Sequence, residues 1–563
     1  MQKLRNHRKE SQITLYRLLL ISGFFALIFC GLTYRIYRLQ ITQFSHYAKL
    51  AKNNNKQSFT LMPYRADIID RYALPMALYR TTFALDTQSL SSDHLALLKN
   101  IAIAPPFSDK RIYLLPSQYA FLTSTSIHQY LSSMTKRHYP IGHASAHIIG
   151  YVGHDKASES CELPDSNIPF QSGKSGIEKH HNSYLKGQAG SKHNTLNAKR
   201  EIVSENIAQQ PSRAMPLQLT IDSKLQSYAF DQLASLTGSV LVIDPQSGEV
   251  LAAASSPSYN PNTIDLSSKR VSNTERSQKP MFTRFTQALY PPASIVKPFI
   301  GLCALEDGHI TSETIINDSG SFKLNDKSRA FHNYNRNGHG EVNLNKAIQL
   351  SNDTYFYHLA HNIGIDNIVS YLKQFKFGEK THIDLPYEAQ GVLPTKQYRK
   401  KHYKKWYDGQ TIISGIGQGD ILATPLQLAR AVMLLANNGY DYPLHMTKGY
   451  YLPMPSSMQF SKHHRDTIIA AMEDVALSGT ARSIGKKTYT LAAKTGSAQV
   501  ATLENKSDYQ HLPKHQKDHH LFVGFAPVDH PSIVIVVVIE HQHEALRVAQ
   551  NILDWCHKHN YIL

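Results

Sequence analysis

The stretch YPPASIVKPF, residues 290–299, holds the pattern from which the organisation of the C-terminal half of this chain can be worked out. Pro298 has no backbone N–H, and its ring is tolerated only in the first turn of a helix. A helix that continues through FIGLCALEDG must therefore begin at or just before Ser294. The Ser294 hydroxyl then lies at the positive end of a helix, where developing negative charge is favoured. The spacing of three brings the Lys297 amine onto the same face.

The Ser294 hydroxyl needs a base, and a lysine amine can act as a base only when it is neutral. The ordinary lysine pKa of about 10.4 must therefore be lowered by burial or by a nearby cation. Lys494 lies in the only KTG of the chain, and we expect it to supply that cation. The string Ser351-Asn352-Asp353 adds a hydroxyl that can relay a proton between Lys297 and a leaving amine.

Ser-x-x-Lys is a weak motif alone, because this chain holds four further copies of it. They begin at Ser133, Ser183, Ser370 and Ser483. Only the copy at Ser294 lies between Pro-Pro and Pro-Phe and is followed by Ser-x-Asp and then by Lys-Thr-Gly. These three motifs, in this order, resemble the signature shared by penicillin-binding proteins and serine β-lactamases.

Other strings resemble landmarks of class B penicillin-binding proteins, most closely the elongation type, penicillin-binding protein 2. They are PYRADIIDR (63–71), in which Ala66 replaces the usual glycine, AHIIGYVG (146–153), GKSGIE (173–178), SPSYNPN (256–262) and GIGQG (415–419). The resemblance implies a peptidoglycan D,D-transpeptidase that cross-links stem peptides during cell elongation and rod-shape maintenance. It also implies acylation by β-lactams.

The resemblance assigns a role to each candidate residue. Ser294 is expected to be acylated by the D-Ala-D-Ala end of a stem peptide, with Lys297 as its base. Ser351 and Lys494 are expected to relay the proton, and the backbone N–H groups of Ser294 and Ser497 to form the oxyanion hole. Ser497 stands where the family usually has threonine. The expected substrate-binding residues are Asp353, Thr495, Gly496 and Ser497.

Some elongation-type members hold a metal near this site with an Asp, Asp, His and Cys set. In this chain Asp318 and His339 match, but Asn333 and Asn352 occupy the other two places. Neutral amides are poor zinc ligands, so we predict neither a metal nor another cofactor. Four histidines near the C-terminal strands are interpreted as surface composition: His519, His520, His541 and His543.

Short apolar runs predict the sheet of the C-terminal domain. Ser239–Ile243 and Glu249–Ala254 flank the turn sequence DPQSG and predict a hairpin. The β-branched run Ile533–Ile539 predicts a central strand covered on both faces. Helical patterns fill much of 294–440, including Leu426–Asn437. We therefore predict an α/β (α+β) multi-domain protein with an antiparallel sheet sandwiched by helices.

The N-terminal region predicts a membrane anchor. Leu18–Tyr34 contains only uncharged, mostly apolar residues and is near the lower limit for a spanning helix. No small-x-small cleavage site follows it, which favours an uncleaved anchor over a signal peptide. The polar stretch 201–216 is interpreted as a linker. The predicted domains are a cytoplasmic tail (1–17), a transmembrane signal anchor (18–38), a β-rich pedestal (41–215) and a transpeptidase domain (216–563) outside the cytoplasmic (inner) membrane, in the periplasm.

The formal net charge of +17 suits an anionic membrane surface or wall polymer, and no nucleic-acid-binding signature accompanies it. The cysteines form no CxxC pair, so no thioredoxin-like or zinc motif is present. By resemblance, the expected partners are a RodA-like SEDS glycosyltransferase, against which the anchor helix would pack, and an MreC-like scaffold.

The alternatives are a division-specific transpeptidase and a penicillin-sensing receptor without turnover. The receptor needs a cytoplasmic effector, which the short N-terminal tail cannot supply. A β-lactamase would need a deacylating base, and no suitably placed ExxxN motif is found. A D,D-carboxypeptidase would share the three motifs but not the pedestal.

Overall fold

The computed structural model describes residues 7–54, 56–87, 90–99, 103, 111–154, 161–163, 166–169, 171–197, 199–264, 279–402, 405–449, 453–484, 488–501 and 506–562. The lysine of the Ser483 copy of Ser-x-x-Lys, Lys486, lies outside these residues. The chain divides into two compact units. The first comprises Met1–Pro63, Glu159–Pro169 and Gln188–Ser212, and the second comprises Tyr64–Ser158, Phe170–Gly187 and Arg213–Leu563.

The second unit contains a five-stranded antiparallel sheet. In chain order its strands are β1 (Gly238–Ile243), β2 (Val250–Ser256), β3 (Ala492–Ala498), β4 (His519–Ala526) and β5 (Ile533–Ile539). Their spatial order is β2-β1-β5-β4-β3, so the first and last parts of the domain meet in one sheet. Two predictions are confirmed. The predicted hairpin is the β1–β2 pair, and the predicted central strand is β5.

Helices cover this sheet because its strands are apolar on both faces. Pro425–Ala436, which matches the predicted helix, packs on β1, β4 and β5. Ser223–Gln232 and Ala545–Lys558 contact each other, and the former packs on β2 while the latter packs on β4 and β5. Every residue of β5 is buried, as expected for a strand enclosed between two helical layers. The predicted fold class is confirmed.

Other helices of this part of the second unit surround the sheet or carry site residues. They are Arg284–Gln287, Lys297–Glu306, Leu344–Gln349, Asp353–Gln374, Lys396–His402, Asp408–Ser414 and Lys462–Leu477, with 3₁₀ turns at Ala293–Val296, Lys506–His511 and Lys514–Gln516. Three two-stranded ribbons complete it: Ile316–Asp318 with Gly340–Val342, Ser321–Phe322 with Phe331–His332, and Tyr440–Asp441 with Ser456–Ser457.

The same unit includes most of the predicted pedestal. Its main sheet runs Leu217–Gln218, Ile68–Ile69, Pro75–Asp86, Arg111–Leu114, with Leu131–His138 also paired to Pro75–Asp86. Val152–His154 pairs with Gln171–Gly173. The helical segments are Ser92–Lys99, Pro116–Thr123, Ser126–Tyr130, Gly142–Ser145, Ala146–Ile149, Gly176–His180 and Asn182–Leu185. The predicted domain boundaries stay a prediction, since the compact units divide the chain differently.

A buried charge network joins two pedestal motifs. Glu178 accepts hydrogen bonds from Arg65 Nε at 3.0 Å and Arg65 Nη2 at 2.8 Å. Its other carboxylate oxygen accepts from Arg137 Nε at 2.8 Å. The three side chains are at most 1% exposed. Burial alone would raise the pKa of Glu178, but the two guanidinium groups lower it, so the carboxylate is charged.

We expect Glu178→Ala to lower the free energy of unfolding by about 3–5 kcal/mol, because two buried guanidinium groups lose their anion. Guanidinium-induced unfolding of the detergent-solubilised chain measures the change. The matched control is Asp366→Ala, whose partner Lys396 lies 3.0 Å away in a pair that is 61% and 73% exposed. That control should change the free energy by less than about 1 kcal/mol. Equal effects of the two substitutions would contradict the prediction.

The first unit contains the N-terminal helix and a second five-stranded sheet. An α-helix at His7–Tyr37 continues as a π-helical turn, Arg38–Thr42, and is followed by the helix Phe44–Asn54. Within the described residues, Ser11–Thr42 is the one helix long and apolar enough to cross a membrane. The sheet order is Ile202–Gln209, Gly190–Leu196, Lys56–Leu61, Cys161–Leu163, Ser166–Pro169.

The interpretation of 201–216 as a linker is wrong for its first half. Ile202–Gln209 is a strand that pairs antiparallel with Gly190–Leu196. All eight residues of this strand are exposed, so hydrogen bonding to its neighbour defines it, and it leaves no burial pattern in the sequence.

Candidate active site

Ser294 lies in the 3₁₀ turn Ala293–Val296, which leads directly into the helix Lys297–Glu306. The predicted helix start is confirmed. Lys297 N donates to Ser294 O three residues back, and the next donor is missing because residue 298 is proline. The first turn is therefore 3₁₀, and the half-buried Ser294 side chain stands at the amino end of the helix.

The GIGQG landmark holds the Ser294 turn in place. Ala293, which has φ +50°, donates its N–H to Gly417 O at 2.9 Å. Gly417 has φ +66°, and a Cβ there would lie 2.3 Å from Ala293 O, so only glycine permits this contact. Gln418 Nε2 donates to Ser497 O at 2.8 Å, which ties the same loop to β3. The sequence identified this landmark without revealing its structural role.

Strand β3 brings the KTG motif against the same turn. A Cβ on Gly496 would lie 3.2 Å from Ile295 Cγ1 and 3.3 Å from Pro292 O. The glycine therefore allows the strand to approach the Ser294 turn closely, as its position in the motif predicts.

The Ser351 hydroxyl lies between the two lysines. Lys297 Nζ donates to Ser351 O at 2.8 Å and lies 3.5 Å from Ser351 Oγ. Lys494 Nζ donates to Ser351 Oγ at 2.8 Å. Both lysine side chains are fully buried. The structure thus brings together the three motifs that the sequence places 57 and 143 residues apart.

Burial lowers the pKa of Lys297, while the negative charge of Asp353 opposes this effect. Burial also lowers the pKa of Lys494, to well below its ordinary value, and the charge of Lys297 adds to the lowering. The expected low lysine pKa is therefore present at Lys297. The positive charge of Lys297 thus disfavours a second charge on Lys494, and the Asp353 carboxylate favours the charged form of Lys297.

Asp353 Oδ1 accepts a hydrogen bond from Lys297 Nζ at 2.7 Å, in a pair that is 0% and 18% exposed. Its expected contact with substrate stays a prediction, since here the carboxylate is bonded to the candidate base. Of the other expected substrate-binding residues, Thr495 is half-buried and its hydroxyl lies 2.7 Å from Thr480 Oγ1. Ser497 is exposed.

The four C-terminal histidines, interpreted from the sequence as surface composition, form two pairs of tilted rings. His543 is exposed and the other three are half-buried. The ring centroids of His519 and His541 are 4.4 Å apart, and those of His520 and His543 are 3.6 Å apart. Burial lowers the pKa of His519 and of His520 to about 4. His520 Nδ1 lies 3.3 Å from Ser497 Oγ, a contact that the sequence did not predict.

The residues at the family's metal position do not fit a zinc ion. Asn333 Oδ1 accepts from Asp353 N at 3.3 Å, and Asn352 Oδ1 accepts from Tyr355 N at 2.8 Å. Because the amide oxygens face backbone N–H groups, both NH₂ groups point at Asp318 Oδ2, at 2.8 and 2.6 Å. Inward-pointing N–H donors cannot ligate a cation. Among the described residues, no three His, Cys, Asp or Glu side chains are grouped as a metal site. The absence of a metal stays a prediction, which this orientation supports.

Ser294 at a helix amino end, followed in the site by the Ser351 hydroxyl between two buried lysines, fits the class of enzymes that transfer acyl groups through a serine ester. The family description "Penicillin binding protein transpeptidase domain" matches residues 238–555, and "Penicillin-binding Protein dimerisation domain" matches 124–219. The chain belongs to the penicillin-binding protein transpeptidases.

Three known proteins narrow the class further. Peptidoglycan D,D-transpeptidase MrdA of Haemophilus influenzae is 33% identical over 92% of this chain and 88% of its own length. The protein of that name from Acinetobacter baumannii is 37% identical over 76% of this chain, and the match spans 66% of that relative. The Helicobacter pylori complex of penicillin-binding protein 2 and MreC has a TM-score of 0.70 and 27% identity, covering 90% of this chain and 99% of the other. The predicted family, penicillin-binding protein 2 of class B, and the predicted enzyme class, a serine-type transpeptidase, are confirmed.

Proposed function

We propose that this chain cross-links peptidoglycan stem peptides during cell elongation, with Ser294 as the residue that becomes acylated. The observation that carries the proposal is the Ser351 hydroxyl, which lies beside the buried amines of Lys297 and Lys494. Such an arrangement can take a proton from one oxygen and deliver it to a leaving amine without bulk water.

The proposed reaction has two halves. Neutral Lys297 takes the proton of Ser294, whose Oγ attacks the carbonyl carbon between the two D-alanines. The proton passes through Ser351 and Lys494 to the departing D-alanine amine, and an ester on Ser294 remains. An acceptor amine then attacks this ester, the amide bond of the cross-link forms as the bond to Ser294 Oγ breaks, and the proton given up by the amine passes to the released serine oxygen. Backbone N–H groups of Ser294 and Ser497 are proposed to stabilise the oxyanion in both halves.

The N-terminal helix and the relatives support a membrane anchor and two partners. The helix Ser11–Thr42 is proposed to hold the protein in the cytoplasmic membrane, with the catalytic domain in the periplasm. The solved complex of Helicobacter pylori penicillin-binding protein 2 with MreC supports an MreC-like scaffold as a partner. The likeness of the pedestal motifs to elongation-type proteins supports a RodA-like SEDS glycosyltransferase as the second partner.

Fluorescent penicillin tests the chemistry. The detergent-solubilised chain is expected to take up one label per molecule, and peptide mapping should place it on the peptide that contains Ser294. The label should persist for many minutes, because no residue is proposed to hydrolyse the ester rapidly. Rapid loss of the label would indicate a β-lactamase, and uptake at another serine would contradict the assignment.

Depletion in the source organism tests the cellular role. Rounded cells are the expected result for an elongation enzyme, and the MrdA name of its relatives supports this outcome. Filaments would instead indicate the division-specific alternative. Normal cell shape with an altered response to penicillin would indicate the receptor.

A further inference from the structure

We propose that four side chains form a metal-free hydrogen-bonded clamp, which holds the Ser351–Asp353 turn in position against Lys297. They are Asp318, Asn333, His339 and Asn352. They act through Ser351 and Asp353, and so they are positioning residues of the site.

One carboxylate oxygen, Asp318 Oδ2, is the centre of the clamp. It accepts from Asn352 Nδ2 at 2.6 Å, from Asn333 Nδ2 at 2.8 Å and from the His339 backbone N at 3.0 Å, and His339 Nδ1 also lies at 3.0 Å. The other oxygen accepts from Gly320 N at 2.8 Å. Burial would raise the pKa of Asp318, but the nearby Thr354 hydroxyl, the Gly320 N–H and the Asn352 and His339 side chains lower it to about 2. The buried carboxylate is therefore charged, and donor groups surround it.

Both amides extend from this centre to the catalytic turn. Asn352 is fully buried, and its oxygen caps the helix Asp353–Gln374 while its NH₂ group donates to Asp318. The Asn333 oxygen accepts from Asp353 N at 3.3 Å. The hydrogen bonds to Asp318 and Asn333 therefore hold two consecutive residues of the turn: Asn352 through its side chain, and Asp353 through its backbone N–H.

The turn needs such support because Ser351 has φ +54°, a left-handed conformation that costs about 1–3 kcal/mol for a residue other than glycine. In this conformation Ser351 O receives Lys297 Nζ at 2.8 Å, and Asp353 Oδ1 lies 2.7 Å from the same amine. If the turn relaxes, Lys297 loses both partners together. A change at Asp318 is thus transmitted to the candidate base, although Asp318 itself does not touch it.

The test uses Asp318→Asn, which keeps the side-chain shape and removes the charge. The second-order rate constant for acylation by fluorescent penicillin is expected to fall by about tenfold to a hundredfold, as for other small misplacements of catalytic groups. The pH midpoint of acylation should also move down. Asp353 raises the pKa of Lys297, so its displacement allows the amine to lose its proton at lower pH. A purely structural role would lower the amount of folded protein and leave the midpoint unchanged.

Asn333→Ala is the second variant and keeps the test decisive if Asp318→Asn fails to fold. It removes the hydrogen bond to Asp353 N and keeps the Asp318 charge. We expect a smaller fall in the acylation rate constant and a smaller downward shift of its pH midpoint. The control is Asp441→Asn, a buried carboxylate that pairs with Arg430 at 2.8 and 2.7 Å. It should lower stability while rate and pH midpoint stay at the values of the unsubstituted chain.

Metal analysis of the purified chain tests whether the clamp is free of metal. The purified chain should contain no stoichiometric zinc, and a zinc chelator should leave its acylation rate unchanged. Stoichiometric zinc with a chelator-sensitive rate would overturn the proposal, as would unchanged rate and midpoint in both clamp variants. The inference rests on the proposed function: absence of penicillin at Ser294 in the unsubstituted chain contradicts that function, whereas normal uptake with unaffected clamp variants contradicts the clamp alone.

Discussion

Ser294→Ala is expected to abolish labelling by penicillin, with the acylation rate falling by about 10⁶-fold, as when a serine nucleophile is removed from other enzymes. The physical reason is that Ser294 Oγ is the atom proposed to form the ester. Ser351, whose Oγ accepts from Lys494 Nζ at 2.8 Å, is assigned to the proton relay and not to the attack. Fluorescence of the gel-separated protein after saturating exposure measures the loss.

The matched control is Ser370→Ala, at another Ser-x-x-Lys of the chain. Ser370 is exposed on the helix Asp353–Gln374, so this substitution should leave both labelling and thermal unfolding unchanged. The Ser294→Ala chain should also unfold at the normal temperature, because it removes one half-buried hydroxyl. Full labelling of a folded Ser294→Ala chain would exclude Ser294 as the nucleophile.

The features that the sequence predicted correctly are those with a local or unique signal. Pro298 lies four residues after Ser294 and requires the helix to begin close to Ser294. The structure has a helical turn that begins at Ala293. The run Ile533–Ile539 is apolar at every position, which is the pattern of a strand covered on both faces. The KTG motif occurs once in the chain, so its position could be assigned without comparing copies.

The features that the sequence did not predict depend on distant partners. The strand Ile202–Gln209 shows no alternation between buried and exposed residues, so its composition resembled a linker. Only its pairing with Gly190–Leu196 makes it a strand. The contact of His520 with Ser497 similarly requires the register of β3 on β4, which no local pattern specifies.

The charge balance of the two lysines also depends on geometry. Motif spacing predicted that Lys494 is the cation and Lys297 the neutral base. In the structure, Asp353 lies 2.7 Å from Lys297 Nζ and opposes the lowering of the Lys297 pKa by burial, while burial and the charge of Lys297 both lower the pKa of Lys494. Acylation therefore requires a proton to leave Lys297 against the pull of Asp353, and the neighbouring Ser351 hydroxyl provides a route toward Lys494.

Replacement of Lys297 is expected to have the second-largest effect. Both Lys297→Met and Lys297→Arg should lower the acylation rate by about 10²- to 10⁴-fold, the usual contribution of a positioned base. Methionine removes the charge, whereas arginine keeps a cation for Asp353 but cannot lose its proton at any working pH. Equal losses in the two variants would therefore identify proton transfer, and not charge, as the function of Lys297.

The pH dependence of the acylation rate also distinguishes proton transfer by Lys297 from a purely electrostatic role. Since the neutral amine is the reactive form, the acylation rate should rise with pH through the lowered pKa of Lys297 and then become constant. In Lys297→Arg the rise should disappear, because no group at this position titrates. Stopped-flow acylation at a series of pH values measures both curves, with thermal unfolding as the check on folding. A folded Lys297→Arg chain that retains the normal rate would assign Lys297 an electrostatic role and leave Lys494, whose pKa is also lowered by burial, as the base.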